Sequence, residues 1–116
     1  MRSGVYNWYG NYMTATTFDV LADPTRRRIL DALLEGPRPV GDLVARLGLS
    51  QPGTSKHLRI LREAGLVEAR KEAQRRVYEL CPEPLAEVAA WLEPYRREWA
   101  GRLDALERHL DEKETP

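Results

Sequence analysis

The spacing of the apolar residues changes near Gly65, and this change constrains the fold more than any other feature of the sequence. Before Gly65 the apolar residues recur in short stretches at intervals of three or four, which is the period of an amphipathic helix. From Leu66 to Leu80 they alternate, as in a strand, and residues 72–75 have the composition of a turn. The sequence therefore predicts short helices followed by a β-hairpin.

Capping residues mark the ends of the predicted helices. A polar side chain followed by proline is typical of a helix start, and glycine is typical of a helix end. The predicted boundaries are Asp23-Pro24 and Gly36-Pro37 for one helix, Val40 and Gly48 for the next, and Ser50 and Gly65 for a third. A longer helical pattern follows from Glu83 to Leu110, where Pro94 predicts a kink or a break into two helices near Glu93.

At 116 residues the chain has the length of one domain, which we expect to span residues 15–112. Residues 113–116 form a short tail, and residues 1–14 form an extension whose aromatic residues follow neither a helical nor a strand period. The sequence leaves open whether this extension is disordered or packs on a neighbouring subunit. A core this small leaves apolar surface exposed unless a partner covers it.

The composition indicates a cytoplasmic protein. No apolar run approaches the roughly 20 residues that cross a bilayer, so no membrane partner is expected. The polar, aromatic start of the chain does not resemble a secretory signal. Cys81 is the single cysteine, which excludes an internal disulfide framework and fits a reducing compartment.

A formal net charge of zero hides an uneven distribution of charge. Residues 24–80 contain 12 Lys/Arg and 7 Asp/Glu, whereas residues 81–116 contain 5 and 9. A basic stretch followed by an acidic one indicates that one surface meets a polyanion while another does not. Taken alone, the pattern fits equally well with charges scattered along solvated helix faces.

The order of elements from Val40 to Leu80 is that of a winged helix-turn-helix, so the fold class is mainly α with a small β-hairpin. In such a unit the second helix enters the major groove of double-stranded DNA, with the first helix bracing it. A helical projection buries Thr54, Leu58 and Leu61 and leaves a polar, cationic face. The candidate DNA-contacting residues of this helix are Gln51, Pro52, Gly53, Ser55, Lys56 and Arg59, with His57 at the flank, packed or touching a phosphate.

Four cations surround the predicted hairpin turn. Side chains of this kind can follow the phosphates or enter the minor groove. A solvated strand edge protected by charge is the alternative reading. The hairpin residues predicted to contact DNA are Arg70, Lys71, Arg75 and Arg76.

Three stretches of the sequence resemble the ArsR-type winged-helix repressors. They are LADPTRRRILDALLEG (residues 21–36), LSQPGTSKHLRILREAGLV (residues 49–67) and RRVYEL (residues 75–80). The resemblance covers about residues 18–110. It implies a homodimer with two recognition helices, its first and last helices at the interface, and repression of an operon that a signal relieves.

The resemblance is to a subgroup without metal sites, as the segment WLEPYRREWAGRLDALERHL (residues 91–110) indicates. Metal-sensing relatives place cysteine pairs in the helix before the recognition helix, and here that helix reads VGDLVARLG. Cys81, His57 and His109 do not have the spacing of a metal site. No cofactor is therefore expected, and we interpret Cys81 as a small, partly buried residue, with a redox role left open.

A long apolar stripe in the last helix predicts dimerisation, although it could also pack on the core of its own domain. A twofold dimer would present its recognition helices to successive major grooves, about 34 Å apart, and would prefer an inverted repeat. The expected interface residues are Phe18 and Leu21 from the first helix and Leu92, Tyr95, Trp99, Leu103, Leu106 and Leu110 from the last.

Other classes of function fit the sequence less well. The chain has no Gly-rich phosphate loop and no nucleophile with a nearby base, so we expect no enzyme. One alternative is a winged-helix protein-interaction module with Tyr95 and Trp99 in the contact. Another is a MarR-type regulator that responds to small ligands. Salt dependence separates the first alternative from DNA binding, because DNA releases counterions when it is bound, whereas a protein partner bound through an apolar groove would show little dependence on salt.

Overall fold

The computed structural model describes residues 5–6, 12–13 and 17–114. The described residues up to Leu85 form one compact unit, and those from Ala86 onward form a second. The elements in chain order are β1 (Val5–Tyr6), β2 (Tyr12–Met13), α1 (Thr17–Leu21), α2 (Pro24–Leu34), β3 (Arg38–Pro39), α3 (Val40–Leu47), α4 (Gln51–Glu63), β4 (Val67–Glu72), β5 (Arg75–Leu80) and α5 (Leu85–Glu114).

The predicted helix boundaries are confirmed, and the capping contacts explain them. The Asp23 carboxylate accepts hydrogen bonds from the backbone N–H of Thr25 at 2.7 Å and of Arg26 at 3.1 Å, at the start of α2. Gly48 ends α3 in the left-handed conformation, with φ of 66°, which glycine adopts without strain. The Ser50 hydroxyl accepts a hydrogen bond from the backbone N–H of Gly53 and so caps α4.

The hairpin is the larger part of a three-stranded antiparallel sheet in the order β3-β5-β4. Strands β4 and β5 pair from Val67 opposite Leu80 to Glu72 opposite Arg75. Ala73, at the turn between them, has φ of 57°, which is uncommon for a residue with a Cβ. The sequence did not predict β3, because a strand of two residues that includes Pro39 is too short to show alternation.

The core of the first unit lies between α2, α3, α4 and the sheet. Each of these elements contributes side chains that are wholly or almost wholly buried, and α1 adds Val20. Because α4 is held through its buried face, its opposite face is presented to solvent. The largest fully buried side chains are Ile29, Leu43, Leu58, Leu61, Leu66, Val20 and Thr54.

Helix α5 runs without interruption for 30 residues and contains Pro94. Of the two alternatives expected near Glu93, the break into two helices is therefore wrong, whereas the kink stays a prediction. A proline removes one backbone hydrogen bond, but the turns before and after it keep theirs, so a helix of this length can continue. In the part of the chain that the structure describes, no helix combines the length and the apolar character needed to span a bilayer.

A pair of two-residue strands lies within the N-terminal extension, where the sequence showed no strand period. Strands β1 and β2 are antiparallel, with Val5 opposite Met13 and Tyr6 opposite Tyr12. The other residues of the extension, and the last two residues of the tail, lie outside the described part of the chain.

Candidate nucleic-acid interface

Helix α4 has one buried and one exposed face. Thr54, Leu58 and Leu61 have no exposed surface, as the helical projection predicted. Five of the residues expected to contact DNA are exposed, whereas Gly53 and His57 are half-buried. The exposed five are Gln51, Pro52, Ser55, Lys56 and Arg59.

The start of α4 depends on the absence of a side chain at Gly53. A Cβ at this position would lie 2.9 Å from the Ser50 hydroxyl oxygen, which is the atom that caps the helix. The Thr54 hydroxyl also donates to the Ser50 carbonyl, at 2.8 Å. The sequence predicted Gly53 as a DNA-contacting residue, and the structure adds a second role, in which Gly53 leaves room for the cap.

His57 lies on the edge of α4 that turns toward the protein. Its Nδ1 atom is buried and has no hydrogen-bond partner among the described residues. The imidazole also lies close enough to Asp23 to influence that carboxyl group. Because Nδ1 is enclosed by protein, this atom does not reach DNA in the described conformation, and a phosphate contact by the rest of the ring stays a prediction.

The pKa of Asp23 reflects its capping role. Burial of the carboxyl group alone would raise its pKa. The backbone N–H groups of Arg26 and Thr25, together with the positive charge of Arg26 and the nearby imidazole of His57, oppose this effect and lower the pKa below its ordinary value. The cap of α2 therefore carries a negative charge near neutral pH.

The three consecutive arginines of α2 donate hydrogen bonds within the protein. Arg26 Nε lies 2.8 Å from the Val20 carbonyl oxygen, and Arg27 Nη1 lies 2.6 Å from that of Leu21. Both carbonyls are at the end of α1, where a helix leaves acceptors without intrahelical partners. Arg28 does the same for α3, with Nη2 at 3.1 Å from the carbonyl oxygen of Leu47.

Arg70 is the one predicted DNA-contacting residue of the hairpin that pairs with acidic side chains in the described chain. Its guanidinium lies 2.7 Å from a carboxylate oxygen of Glu79 and 3.3 Å from one of Glu72. The other three cations of the hairpin are exposed and have no ion pair with a described residue: Lys71, Arg75 and Arg76. DNA contact by all four residues stays a prediction. To contact DNA, Arg70 must leave its acidic partners for a phosphate or a base.

Sequence reasoning missed Arg62, a further exposed cation on α4. It lines an open groove with Glu68, Arg70 and Glu79 at the base of the hairpin. The signal that could have found it is spacing, because Lys56, Arg59 and Arg62 follow each other at intervals of three along α4.

The environment of Cys81 keeps its thiol protonated. Burial is the largest of the effects that together raise the pKa of Cys81 to about 11. The others are the nearby carboxylate of Glu68, which accepts a hydrogen bond from the thiol, and the negative charges of Glu83 and Glu79. Thiolate is the reactive form of cysteine, so this side chain is poorly reactive. Within the described ranges no group of three or more His, Cys, Asp or Glu side chains could hold a metal ion.

Most of the predicted interface residues are exposed in the single chain. Trp99 is 66% exposed and Leu103 46%, with Leu92, Tyr95, Leu106 and Leu110 in the same range. In the first unit, Phe18 is 39% exposed, whereas Leu21 is half-buried against the core. The stripe on α5 therefore remains largely uncovered within one copy of the chain, and its role in dimerisation stays a prediction.

Comparison with known proteins gives consistent matches. Residues 23–69 match the family model described as "Bacterial regulatory protein, arsR family". The chain is 38% identical over 94 residues to the HTH-type transcriptional regulator Rv2034 of Mycobacterium tuberculosis, covering 81% of this chain and 85% of that one. It is 35% identical over 75 residues to the transcriptional repressor SdpR of Bacillus subtilis, covering 65% and 83%.

Solved structures with the same fold include an ArsR-like transcriptional regulator from Rhodococcus sp. RHA1, with a TM-score of 0.63 and 34% identity, covering 81% of this chain and 89% of that one. The transcriptional repressor BigR from Xylella fastidiosa has a TM-score of 0.56 and 32% identity, covering 67% and 80%. These matches set aside the enzyme and MarR-type readings. The chain belongs to the arsR family of bacterial regulatory proteins and is a DNA-binding transcriptional regulator with a winged helix-turn-helix.

Proposed function

We propose that the protein is a repressor that binds an inverted-repeat operator as a homodimer and requires no metal ion. One observation carries the proposal. Lys56 and Arg59 stand on the exposed face of α4, and neither has an ion-pair partner in the described part of the chain. An α-helix fits the major groove of DNA, and cations on it that have no partner within the protein are suited to bind the DNA phosphates.

The polar residues near the start of α4 suit the reading of bases. An α-helix fits the major groove, and the N-terminal part of a recognition helix lies nearest to the base edges. Gln51 and Ser55 can donate and accept hydrogen bonds there, and both are exposed. Lys56 and Arg59, further along, can reach a guanine or a phosphate. We therefore assign sequence discrimination to the first turns of α4.

The tip of the hairpin supplies the second contact to DNA in this proposal. Lys71, Arg75 and Arg76 are exposed on either side of the turn, and we assign them to phosphates or to the minor groove beside the site of α4. Such contacts add affinity but little sequence information. Their effect on binding should therefore be similar for operator and unrelated DNA.

The apolar stripe on α5 supports the homodimer. Six large side chains recur there at intervals of three and four, and all are exposed in one copy. A second copy of the helix could cover them in the manner of a coiled coil. A twofold axis through this contact requires an inverted repeat in the DNA. The names of the repressors SdpR and BigR favour repression, and a repressor of this kind acts in the cytoplasm.

The direct test is binding of the purified protein to the DNA upstream of its own gene, followed by anisotropy or gel shift and by footprinting. We expect a protected inverted repeat and an affinity that falls steeply with salt, because bound counterions are released from DNA. Binding without salt dependence, or no binding to this DNA at any salt concentration, would contradict the proposal and favour a protein-interaction module.

Dimerisation can be tested with two substitutions of equal charge. Leu103→Asp places a carboxylate in the apolar stripe, whereas Ala105→Asp places it on another side of the same helix. We expect sedimentation equilibrium to show monomers for the first variant and dimers for the second. Equal behaviour of the two variants would show that α5 is not the interface.

Independence from metal is tested with a chelator. Operator affinity measured before and after dialysis against EDTA should be the same, and added Zn²⁺ should leave it unchanged. A loss in EDTA that a single metal restores would place the protein among the metal-responsive members of the family.

A further inference from the structure

Arg38 makes three hydrogen bonds that join the end of α2 to the start of α3. Its Nε donates to the carbonyl oxygen of Ala32 at 2.9 Å, its Nη1 to Asp42 at 2.9 Å and its Nη2 to Glu35 at 3.0 Å. Only 17% of the side chain is exposed. A guanidinium with all three nitrogens engaged in this way has a fixed position.

The backbone of the same residue belongs to the sheet that contains the β4–β5 hairpin, which is the wing of the winged helix-turn-helix. Arg38 pairs with Tyr78, and Pro39 with Val77, on strand β5. That strand begins with Arg75 and Arg76, the cations at the tip of the hairpin. Arg38 is therefore tied through its main chain to the wing and through its side chain to two helices.

The acidic partners of Arg38 are shared with Arg46. Arg46 lies 3.5 Å from Glu35 and 3.5 Å from Asp42, so the four side chains form a cluster of two cations and two anions. Such a cluster adds no net charge to the DNA-facing surface. Because α3 packs against α4, the cluster also fixes the helix that braces the recognition helix.

We infer that Arg38 is a positioning residue for DNA binding, which holds the wing at a set distance and angle from α4. The inference rests on the proposed function, since it assumes that Lys56 and Arg59 on α4 and Arg75 and Arg76 on the wing engage the same DNA. Two contacts on one rigid body reinforce each other only when both fit at once. A loosened wing loses this reinforcement although every contacting side chain is still present.

A double-mutant cycle tests the inference. The variants are Arg38→Gln, the pair Arg75→Ala with Arg76→Ala, and their combination, each measured for operator affinity by anisotropy. If Arg38 acts through the wing, the loss of operator affinity in the combined variant should be at least about threefold smaller than the product of the separate losses. The reason is that a wing without its cations makes no contact with DNA that a change in its position could weaken. When Arg38→Gln is combined with Lys56→Ala instead, the loss of affinity should equal the product of the two separate losses.

Arg26→Gln is the matched control. Arg26 also donates to a carbonyl at a helix end, and 16% of its side chain is exposed, but it contacts α1 and not the sheet. Its effect on affinity should multiply with that of the wing substitutions. If Arg38→Gln only reduced stability, its effect on affinity would also multiply with that of the wing substitutions. That result would overturn the inference.

Arg38→Lys keeps the charge and removes the three-way contact, so it serves if Arg38→Gln does not fold. With the wing substitutions it should show the same coupling as Arg38→Gln. A combined loss of affinity equal to the product of the separate losses would again refute the positioning role. The absence of salt-dependent operator binding in the unmodified protein would instead refute the proposed function. The two failures are therefore distinguishable.

Discussion

Helices α2 and α4 are built alike at their first turns and differ in what their cations contact. Each starts with a capping oxygen, from Asp23 or Ser50, and has a proline in the first turn. Each also carries three Lys/Arg residues. Those of α2 donate to backbone carbonyls at 2.6–3.5 Å, whereas those of α4 make no side-chain hydrogen bond with a described residue.

The difference follows from the neighbours of each helix. α2 lies beside the ends of α1 and α3, whose last carbonyls need donors, and its arginines supply them. Lys56 and Arg59 of α4 lie on the face opposite its core contacts, and Arg62 lies at the flank of that face, beside the base of the hairpin. The two helices thus carry equal numbers of positive charges, which brace neighbouring helices in α2 and which we propose to bind DNA in α4.

The largest effect that distinguishes the two helices concerns DNA affinity. Lys56→Ala or Arg59→Ala should each weaken operator binding by about 1–3 kcal/mol if the residue contacts a base, and should reduce the salt slope if it contacts a phosphate. Arg27→Ala should change affinity far less, since its guanidinium is directed at a carbonyl. Anisotropy titrations over a salt series measure both quantities. An equal loss from Arg27→Ala would erase the proposed distinction.

The capping residues should matter equally in the two helices. Asp23→Ala and Ser50→Ala should each lower the free energy of unfolding by about 1 kcal/mol, because one or two backbone N–H groups lose their acceptor. Urea unfolding followed by circular dichroism measures this.

The substitution Gly53→Ala, made with and without Ser50, separates the contribution of the Ser50 cap to stability from that of helix propensity at position 53. In the natural sequence the new methyl group displaces the Ser50 hydroxyl and the protein should lose stability. In the Ser50→Ala background there is no cap to displace, and the same change should stabilise α4 by up to about 1 kcal/mol. The same sign in both backgrounds would show that the close approach of Gly53 to Ser50 is unimportant.

Removal of an arginine from α2 should affect stability more than removal of one from α4. Arg28→Ala deletes the bond to the Leu47 carbonyl and should cost about 0.5–1.5 kcal/mol of unfolding free energy. Arg62→Ala, on the exposed side of α4, should stay within about 0.5 kcal/mol. Thermal and urea unfolding of both variants provide the comparison, which the reverse order would contradict.

The smallest expected effect is a dependence on pH that only the cap of α2 has. The pKa of Asp23 is lowered in the folded chain, so the stability it contributes is present above the pKa of the unfolded chain and is lost as pH falls through the folded value. Asp23→Asn keeps a capping oxygen without the charge. It should flatten the dependence of unfolding free energy on pH below about pH 5. An unchanged slope would assign the acid sensitivity to other carboxyl groups.

Local features of the fold were predictable from the sequence because their signals are local. Caps, glycine stops and the buried stripe of α4 depend on residues within one or two turns of each other. The hairpin was predictable for the same reason, since alternation and a turn lie within fifteen residues.

Features that depend on distant neighbours were not predictable. The pairing of Arg70 with Glu79 requires the strand register that places Val77 opposite Arg70. The roles of Arg26 and Arg28 require the ends of α1 and α3 to lie beside α2. Strand β3 exists only because β5 offers it a partner, and the continuity of α5 through Pro94 depends on the turns around it. The charge pattern of the sequence therefore did not reveal which cations have partners within the protein.

Pro94 has a consequence for how α5 exchanges its amide hydrogens with solvent. Proline has no N–H, so the carbonyl of Ala90 cannot receive the bond that normally closes this turn. The 30-residue helix thus contains two hydrogen-bond ladders that meet at one weak step. Deuterium uptake should be fastest around this step and at the two ends, so that each half of the helix can open while the other remains formed.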